Sequence, residues 1–268
     1  PTEAADWQPL DRPLLHESRV AEDGEQAFRV SLSDSTDWVL DDHRTMDGTA
    51  VLPGTAYVEL ALESHLAAGG TLPLEIRDLV FLRPVVAQRD GRAAIQTRLK
   101  PAGGATAFET RSPHSVDGQT GTVLNAQGVI APAASADTLP PVDLAAVTAR
   151  CTTPSRHEGA DGFKSPQEAH LRFGPRWRVV QEAWLGEGEG IARISLPPDH
   201  ADDLETGFVA HPAMLDLATG WAMELIDGYA PDRLWVPVSY GTIRLDRPLP
   251  GRLFSWISRR AETDGPAG

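Results

Sequence analysis

The residues best suited to chemistry lie in WVLDDHRTMDGTAVLPGTAYVELALESHL, residues 38–66. There His43 follows Asp41 and Asp42, a polar loop with Asp47 and Gly48 comes next, and Leu52-Pro53-Gly54 leads into a helical pattern. A histidine ahead of a helix N-terminus is placed to move protons, and the free N–H groups of that first turn can polarise a carbonyl. A second candidate is Asp216 in HPAMLDLATGWAMELIDG, residues 211–228, whose neighbouring positions are otherwise apolar. A carboxylate there must be paired, solvated by a cleft or functional, or else simply favoured by the helix dipole.

The elements that would hold these residues can be read from periodicity. Residues 15–21 and 26–32 form a hairpin about Glu22-Asp23-Gly24, and a helix over 54–67 is stopped by Gly69-Gly70. That helix has a wide apolar arc and a narrow polar stripe of Glu59 and Glu63. Strands are expected at 74–88, 93–99, 106–112 and 120–130. The Pro-rich, aperiodic stretch 133–152 reads as a linker. Beyond it, a short helix near 165–171 precedes RFGPRW. Strands at 178–185 and 190–196, a helix over 211–228 starting at Pro212 and ending at Gly228, and strands at 234–246 and 252–260 complete the chain.

These elements repeat. Each half offers a hairpin, a loop, a proline, an apolar helix and a strand carrying Ile-Arg then Arg-Pro: IRDLVFLRPVV at 76–86 and IRLDRPLPG at 243–251. Both lead to a Gly-Arg, at 91–92 and 251–252. Four coincidences in one order indicate a diverged duplication. The expected architecture is two helices, each cradled by an antiparallel sheet, with the sheets side by side. The domains would be 1–132, the linker 133–152, and 153–268, the last lacking counterparts for two first-half strands. Counting four from each proline sets Asp216 against Tyr57. One half then offers a base and the other an acid, which favours function for both.

Composition narrows the partners. With 24 Lys+Arg against 38 Asp+Glu the formal charge is −14, which argues against nucleic acid or an anionic membrane surface. No apolar run approaches the roughly 18 residues of a membrane span. The single cysteine, Cys151, allows no internal disulfide and no Cys-based zinc site, and is read as incidental. Metal-ligand spacings, a nucleophile elbow, a P-loop and a dinucleotide fingerprint are all missing. The start at Pro1 suggests a segment of something longer.

At this point the motifs carry a resemblance. PLLHESRV, DDHRTMDGTAVLPGTAYVELAL, IRDLVFLRPVV, FGPRW, HPAMLD and WVPVSYGTIRL, taken in order, resemble the dehydratase domains of modular polyketide synthases. The resemblance implies an α+β double hotdog fold in a cytoplasmic, multifunctional enzyme. It implies loss of water from a β-hydroxyacyl thioester, with His43 as base and Asp216 as acid. No cofactor is implied beyond the phosphopantetheine arm of an acyl carrier protein that carries the substrate. The partners would be that carrier protein, neighbouring synthase domains, the polyketide intermediate and, as is common in the family, a second copy through the first halves. Gly48, Leu52, Pro53, Gly54, Phe173, Pro175 and Gly220 would line the substrate site, with N–H groups near Gly48 and at Gly54 facing the thioester carbonyl.

Three departures stand out. One extra residue separates His43 from Gly48. Phe173 replaces the tyrosine of the family's YGPxF motif. Gly220 stands where a Gln or His commonly orients the catalytic aspartate. They motivate two alternatives: a double-bond-shifting or ring-forming enzyme of the same fold, and an inactive scaffold. Of the remaining candidates, Asp41 or Asp42, but not both, could orient His43. Trp177 reads as structural, and His211 as shaping the start of its helix.

Overall fold

The fold is built on two helices of unequal burial. A computed structural model describes residues 6–21, 24–116, 119–133, 141–155, 158–159 and 162–259. Glu22 and Asp23 of the expected turn, and 134–140 of the expected linker, lie outside these. A short helix α1, Trp38–Asp41, precedes the main first-half helix α2, Gly54–Ala67. Pro53, with φ −65° and ψ 148°, stands at the N-cap of α2, its fixed ring geometry suiting the turn into the helix. Every residue from Thr55 to Ser64 is buried. A helix enclosed on all sides has no water-facing stripe, so Glu59 and Glu63, expected to form one, are fully buried.

The enclosing sheet has eight strands. In spatial order they are Gln8–Pro9, Glu17–Val20, Gln26–Ser33, Arg92–Ala102, Ala105–Val116, Gln119–Pro132, Leu74–Phe81 and Ser239–Leu245. The inward side chains Phe28, Ile95, Phe108, Ile130 and Ile76 are all buried in one core with α2, as alternation along the strands requires. The expected strand 74–88 ends at Phe81. The chain then crosses beneath the His43 loop, where Leu52 N–H donates to Val85 O (2.9 Å) and Ala87 N–H to Ala50 O (3.0 Å).

The second half wraps its helix more thinly. Arg252–Ser258, Glu189–Ser195, Val180–Leu185 and Thr153–Pro154 form a four-stranded sheet against the second-half helix. Between the halves, a helix α3, Leu144–Arg150, occupies part of the expected linker. Asp143 caps it by accepting from Ala146 N–H (3.0 Å). Val147 and Cys151 pack with Ile191 in a small core, so the cysteine has a packing role. The helix α4 covers Pro212–Gly220 only, and the expected helix 211–228 breaks after Trp221. Trp221 is buried, and its indole N–H donates to Ser255 Oγ (3.0 Å). That anchor on the sheet turns the chain into a single 3-10 turn, Met223–Leu225.

The duplication is visible in the pairing. Gln26–Ser33 pairs with Arg92–Ala102 as Glu189–Ser195 pairs with Arg252–Ser258, all antiparallel. The two Ile-Arg strands pair with each other, Ile243 opposite Ile76. These two isoleucines, equivalent in the repeat, face one another as residues at a local two-fold do. The sheets do not merely adjoin, since a second-half strand completes the edge of the first. This is the α+β double hotdog expected from the motifs.

Candidate active site

His43 begins a three-residue strand, His43–Thr45, paired with Leu171–Phe173 of the second half so that Phe173 is opposite His43. The following turn is tightly bonded. Gly48 N–H donates to Thr45 O (2.9 Å), Thr45 N–H to Thr49 O (2.9 Å), and Asp47 Oδ1 accepts from Thr49 N–H (3.0 Å). Gly48 has φ 90°, the left-handed conformation a Cβ disfavours. The extra residue between His43 and Gly48 falls within this bonded turn. Val51 N–H donates to His43 O (3.0 Å), and the Val51 carbonyl lies 2.8 Å from His43 Nδ1. A carbonyl only accepts, so Nδ1 carries the proton and Nε2 is left with its lone pair. The ring is buried and packs at 5.5 Å from both Phe173 and Trp177.

Asp216 sits in the middle of α4, partly buried. Its Oδ2 accepts from the Trp177 indole N–H at 2.8 Å. Burial pushes its pKa above the usual carboxylate range, while the field of His43 and the Trp177 hydrogen bond pull the other way. An indole N–H can only donate, so when Asp216 is protonated its acid hydrogen belongs on Oδ1. One tryptophan therefore touches both ionisable groups, packing on the histidine ring and bonding the carboxyl.

The other site candidates divide. Phe173 stacks on Trp177 (5.9 Å, 10°), and Pro175 starts the 3-10 turn Pro175–Trp177 that aims the indole. Gly54 opens α2, and no side chain caps that N-terminus. The Gly48 N–H is engaged by Thr45 O and is not a free donor to a carbonyl. Leu52 is core, 3% exposed, and Pro53 is buried at the helix cap. Gly220 ends α4 beside open space, and Trp177 rather than a residue near it orients Asp216.

Behind the site a polar cluster locks the FGPRW turn. Gly174 N–H donates to Asp42 O (2.8 Å), and a Cβ at Gly174 would collide with the Asp42 carboxylate at 1.9 Å. Arg176 reaches Asp203 (2.6 Å) and Asp42 (3.7 Å) and lies over Trp38, on which the ring of His211 is stacked at 4.8 Å. Despite desolvation, His211 and Arg176 hold the Asp203 carboxyl down at about 2. Asp41 pairs with Arg44 (2.8 Å) and Asp42 with Arg176, and it is the Val51 carbonyl that orients His43. Val51 and Trp177 are thus the orienting groups that sequence reasoning missed. A main-chain carbonyl leaves no trace in residue types. The invariant donor chemistry of an indole beside FGP was the one available clue.

Comparisons with known proteins bear on what this arrangement is. A family profile described as "Polyketide synthase dehydratase domain" matches residues 12–113, and one described as "Polyketide synthase dehydratase N-terminal domain" matches 139–267. The chain belongs to the polyketide synthase dehydratase family. Members of that family are hydro-lyases. Polyketide synthase GfsB of Streptomyces halstedii is 32% identical over 94% of the chain. Polyketide synthase PksN of Bacillus subtilis is 28% identical over 84%. The chain spans about 4% of the length of each of these relatives. Among solved structures, the dehydratase domain from the CurF module of the curacin polyketide synthase superposes with a TM-score of 0.82 at 21% identity, covering 94% of this chain and 89% of that one. The dehydratase domain from the terminal module of the rifamycin polyketide synthase gives 0.75 at 27% identity, covering 92% and 86%.

In this dehydratase domain a buried carboxyl group ties the two halves, and a second braces the first half. Glu59 Oε1 accepts from Val209 N–H (2.7 Å) and its Oε2 from Ala210 N–H (2.6 Å), immediately ahead of α4. Glu63, one turn along, accepts from Leu14 N–H with both oxygens (3.1 and 3.0 Å). Burial pushes both groups up, and the nearby Glu59 charge raises Glu63 further. Thr55 Oγ1 donates to Pro212 O (2.9 Å) at the same junction. The Glu59 and Thr55 bonds fix where α4 starts relative to α2, and hence where Asp216 stands relative to the His43 loop. Among the described residues no cluster of His, Cys, Asp and Glu could hold a metal ion, and no helix is long and apolar enough to cross a membrane.

Proposed function

We propose that this domain removes water from a β-hydroxyacyl thioester held on the phosphopantetheine arm of an acyl carrier protein, with His43 as base and Asp216 as acid. The observation that carries the reading is the shared tryptophan. His43, with Nε2 unblocked, and Asp216, with Oδ1 unblocked, both lie against Trp177 at the junction of the halves. His43 Nε2 takes the α-proton, and the C–H electron pair becomes the second bond between Cα and Cβ. The Cβ–O bond breaks as Asp216 Oδ1 gives its proton to the departing oxygen, so water leaves rather than hydroxide. The uncapped first turn of α2 at Gly54 supplies N–H groups for the thioester oxygen as enolate character develops.

The raised Asp216 pKa suits this work, because only a carboxyl that keeps its proton near neutrality can donate it. The alternative of a bond-shifting or ring-forming enzyme rested on the longer His43 loop and on Gly220. The added residue lies in a bonded turn, and Trp177 orients the carboxyl, so neither feature favours it. Incubating the domain with a 3-hydroxyacyl carrier protein and weighing the acyl product tests the proposal. A product one water lighter is expected. An unchanged mass under the same conditions would contradict it.

A further inference from the structure

Trp177 and Asp216 stand on separate elements, the 3-10 turn Pro175–Trp177 and helix α4, so the 2.8 Å bond between them depends on what holds those elements together. Both elements lead to one carboxylate. Arg176, next to Trp177, makes a two-pronged contact with Asp203, Nε to Oδ2 at 2.6 Å and Nη2 to Oδ1 at 3.3 Å. His211, the N-cap of α4, turns Nε2 to the same Oδ2 at 3.4 Å. Ionised Asp203 only accepts, so His211 Nε2 is the donor. The His211 carbonyl accepts a helix bond from Leu215 N–H (3.0 Å), the residue before Asp216.

A ring stack runs beside this ionic bridge. Trp38 meets the Trp177 ring edge-on at 5.8 Å, and His211 lies flat on Trp38 at 4.8 Å and 9°. The ring contacts keep the two elements at packing distance, whereas the two-pronged guanidinium–carboxylate contact also fixes their orientation. Asp203 has its own anchorage, on the 3-10 segment Pro198–Thr206. There its carbonyl accepts from Thr206 Oγ1 (2.6 Å), and the adjoining Leu204 packs on the second-half core. Arg176 has a further carboxylate, Asp42, at 3.7 Å, so Asp203 is not needed merely to neutralise it.

We propose that Asp203 is a positioning residue for the acid: it joins the turn that aims the Trp177 indole to the start of the helix that carries Asp216, and so sets the length and angle of the bond that orients the carboxyl. Asp203 exchanges no proton with the substrate and acts on the rate through Trp177. This rests on the dehydratase reading given above.

The test measures dehydration of a 3-hydroxyacyl carrier protein by the wild-type domain, D203N, R176K and W177F, and by D203N and R176K each combined with W177F. Asn keeps the shape of Asp203, but either orientation of its amide sets an N–H2 group against a donor of Arg176. Lys keeps the charge of Arg176 without the two-pronged contact. Each single change is expected to lower kcat about fivefold with KM within about twofold of wild type. Each should also move the alkaline limb of the pH–rate profile to higher pH, because a weaker indole bond holds the Asp216 carboxyl down less. On the W177F background either change should cost less than about twofold more, since the bond it supports is already gone. The inference is overturned if either loss multiplies with that of W177F. It is also overturned if both variants keep the wild-type kcat and alkaline limb, whatever happens to the unfolding temperature, the mark of a structural role. Failure of the dehydratase reading looks different: the wild-type domain itself would release no water.

Discussion

The two halves carry one duplicated element in two conditions. Helix α2 is enclosed over Thr55–Ser64, while α4 buries Pro212, Ala213, Met214 and Leu217 and leaves its other face partly open. The equivalent fourth position after each proline shows what this allows. Tyr57 is 3% exposed, and its hydroxyl is spent on the main chain, accepting from Val85 N–H at 2.9 Å. Asp216 has a single orienting donor and a free oxygen. A fully wrapped helix must satisfy every polar group internally, so its polar side chains become struts: Tyr57 for the loop after Phe81, Glu59 for the chain ahead of α4, and Glu63 for Leu14. A half-wrapped helix can keep one carboxyl unpaired on one oxygen. Duplication thus separates rigidity from openness, and the proposed reactive pair takes one member from each half.

Substitutions at matched positions test this contrast. The largest effect belongs to D216N, which removes the acid while keeping the Trp177 acceptor; kcat should fall roughly 10²–10⁴-fold with the unfolding temperature nearly unchanged. E59A leaves two buried N–H groups, of Val209 and Ala210, without their acceptor. It should lose about 2–5 kcal/mol in denaturant titrations, and a loss below ~1 kcal/mol would remove the case for a strut. W177F should lower kcat about tenfold by unfixing the carboxyl. It should also move the alkaline limb of the pH–rate profile. The acid must be protonated, so activity is lost as pH rises through the Asp216 pKa. The indole bond holds that pKa down against desolvation, and without it the limb shifts to higher pH. The smallest effect is Y57F, at about 1 kcal/mol of stability. Because Tyr57 acts as a strut, its removal should leave the pH–rate profile in place, whereas a displaced profile would make Tyr57 part of the site.

Much of this was legible because it is written in side-chain types at fixed spacing. The Pro53 and Pro212 helix starts, the paired Ile-Arg strands and the positions of His43 and Asp216 all followed from pattern. What escaped depended on neighbours distant in sequence. Glu59 and Glu63 at i,i+4 have the spacing of a solvated stripe, and only the enclosing sheet and the 209–210 backbone turn them inward. The early end of α4 follows from a bond between Trp221 and Ser255, 34 positions apart. The expected linker hid a helix because only Val147 of it is buried, leaving no apolar period. Gly220 suggested an unsupported Asp216, whereas its donor, Trp177, lies 39 positions away on another element.

The central claim is that His43 and Asp216 act as one unit on one substrate across the junction of the halves. Dehydration rates of a 3-hydroxyacyl carrier protein measured for wild type, H43A, D216N and the double variant test it most directly. Each single change is expected to lower the rate roughly 10²–10⁴-fold, and the double variant should be no slower than the slower single. Losses that multiply in the double variant, or a single variant that keeps its rate, would contradict it.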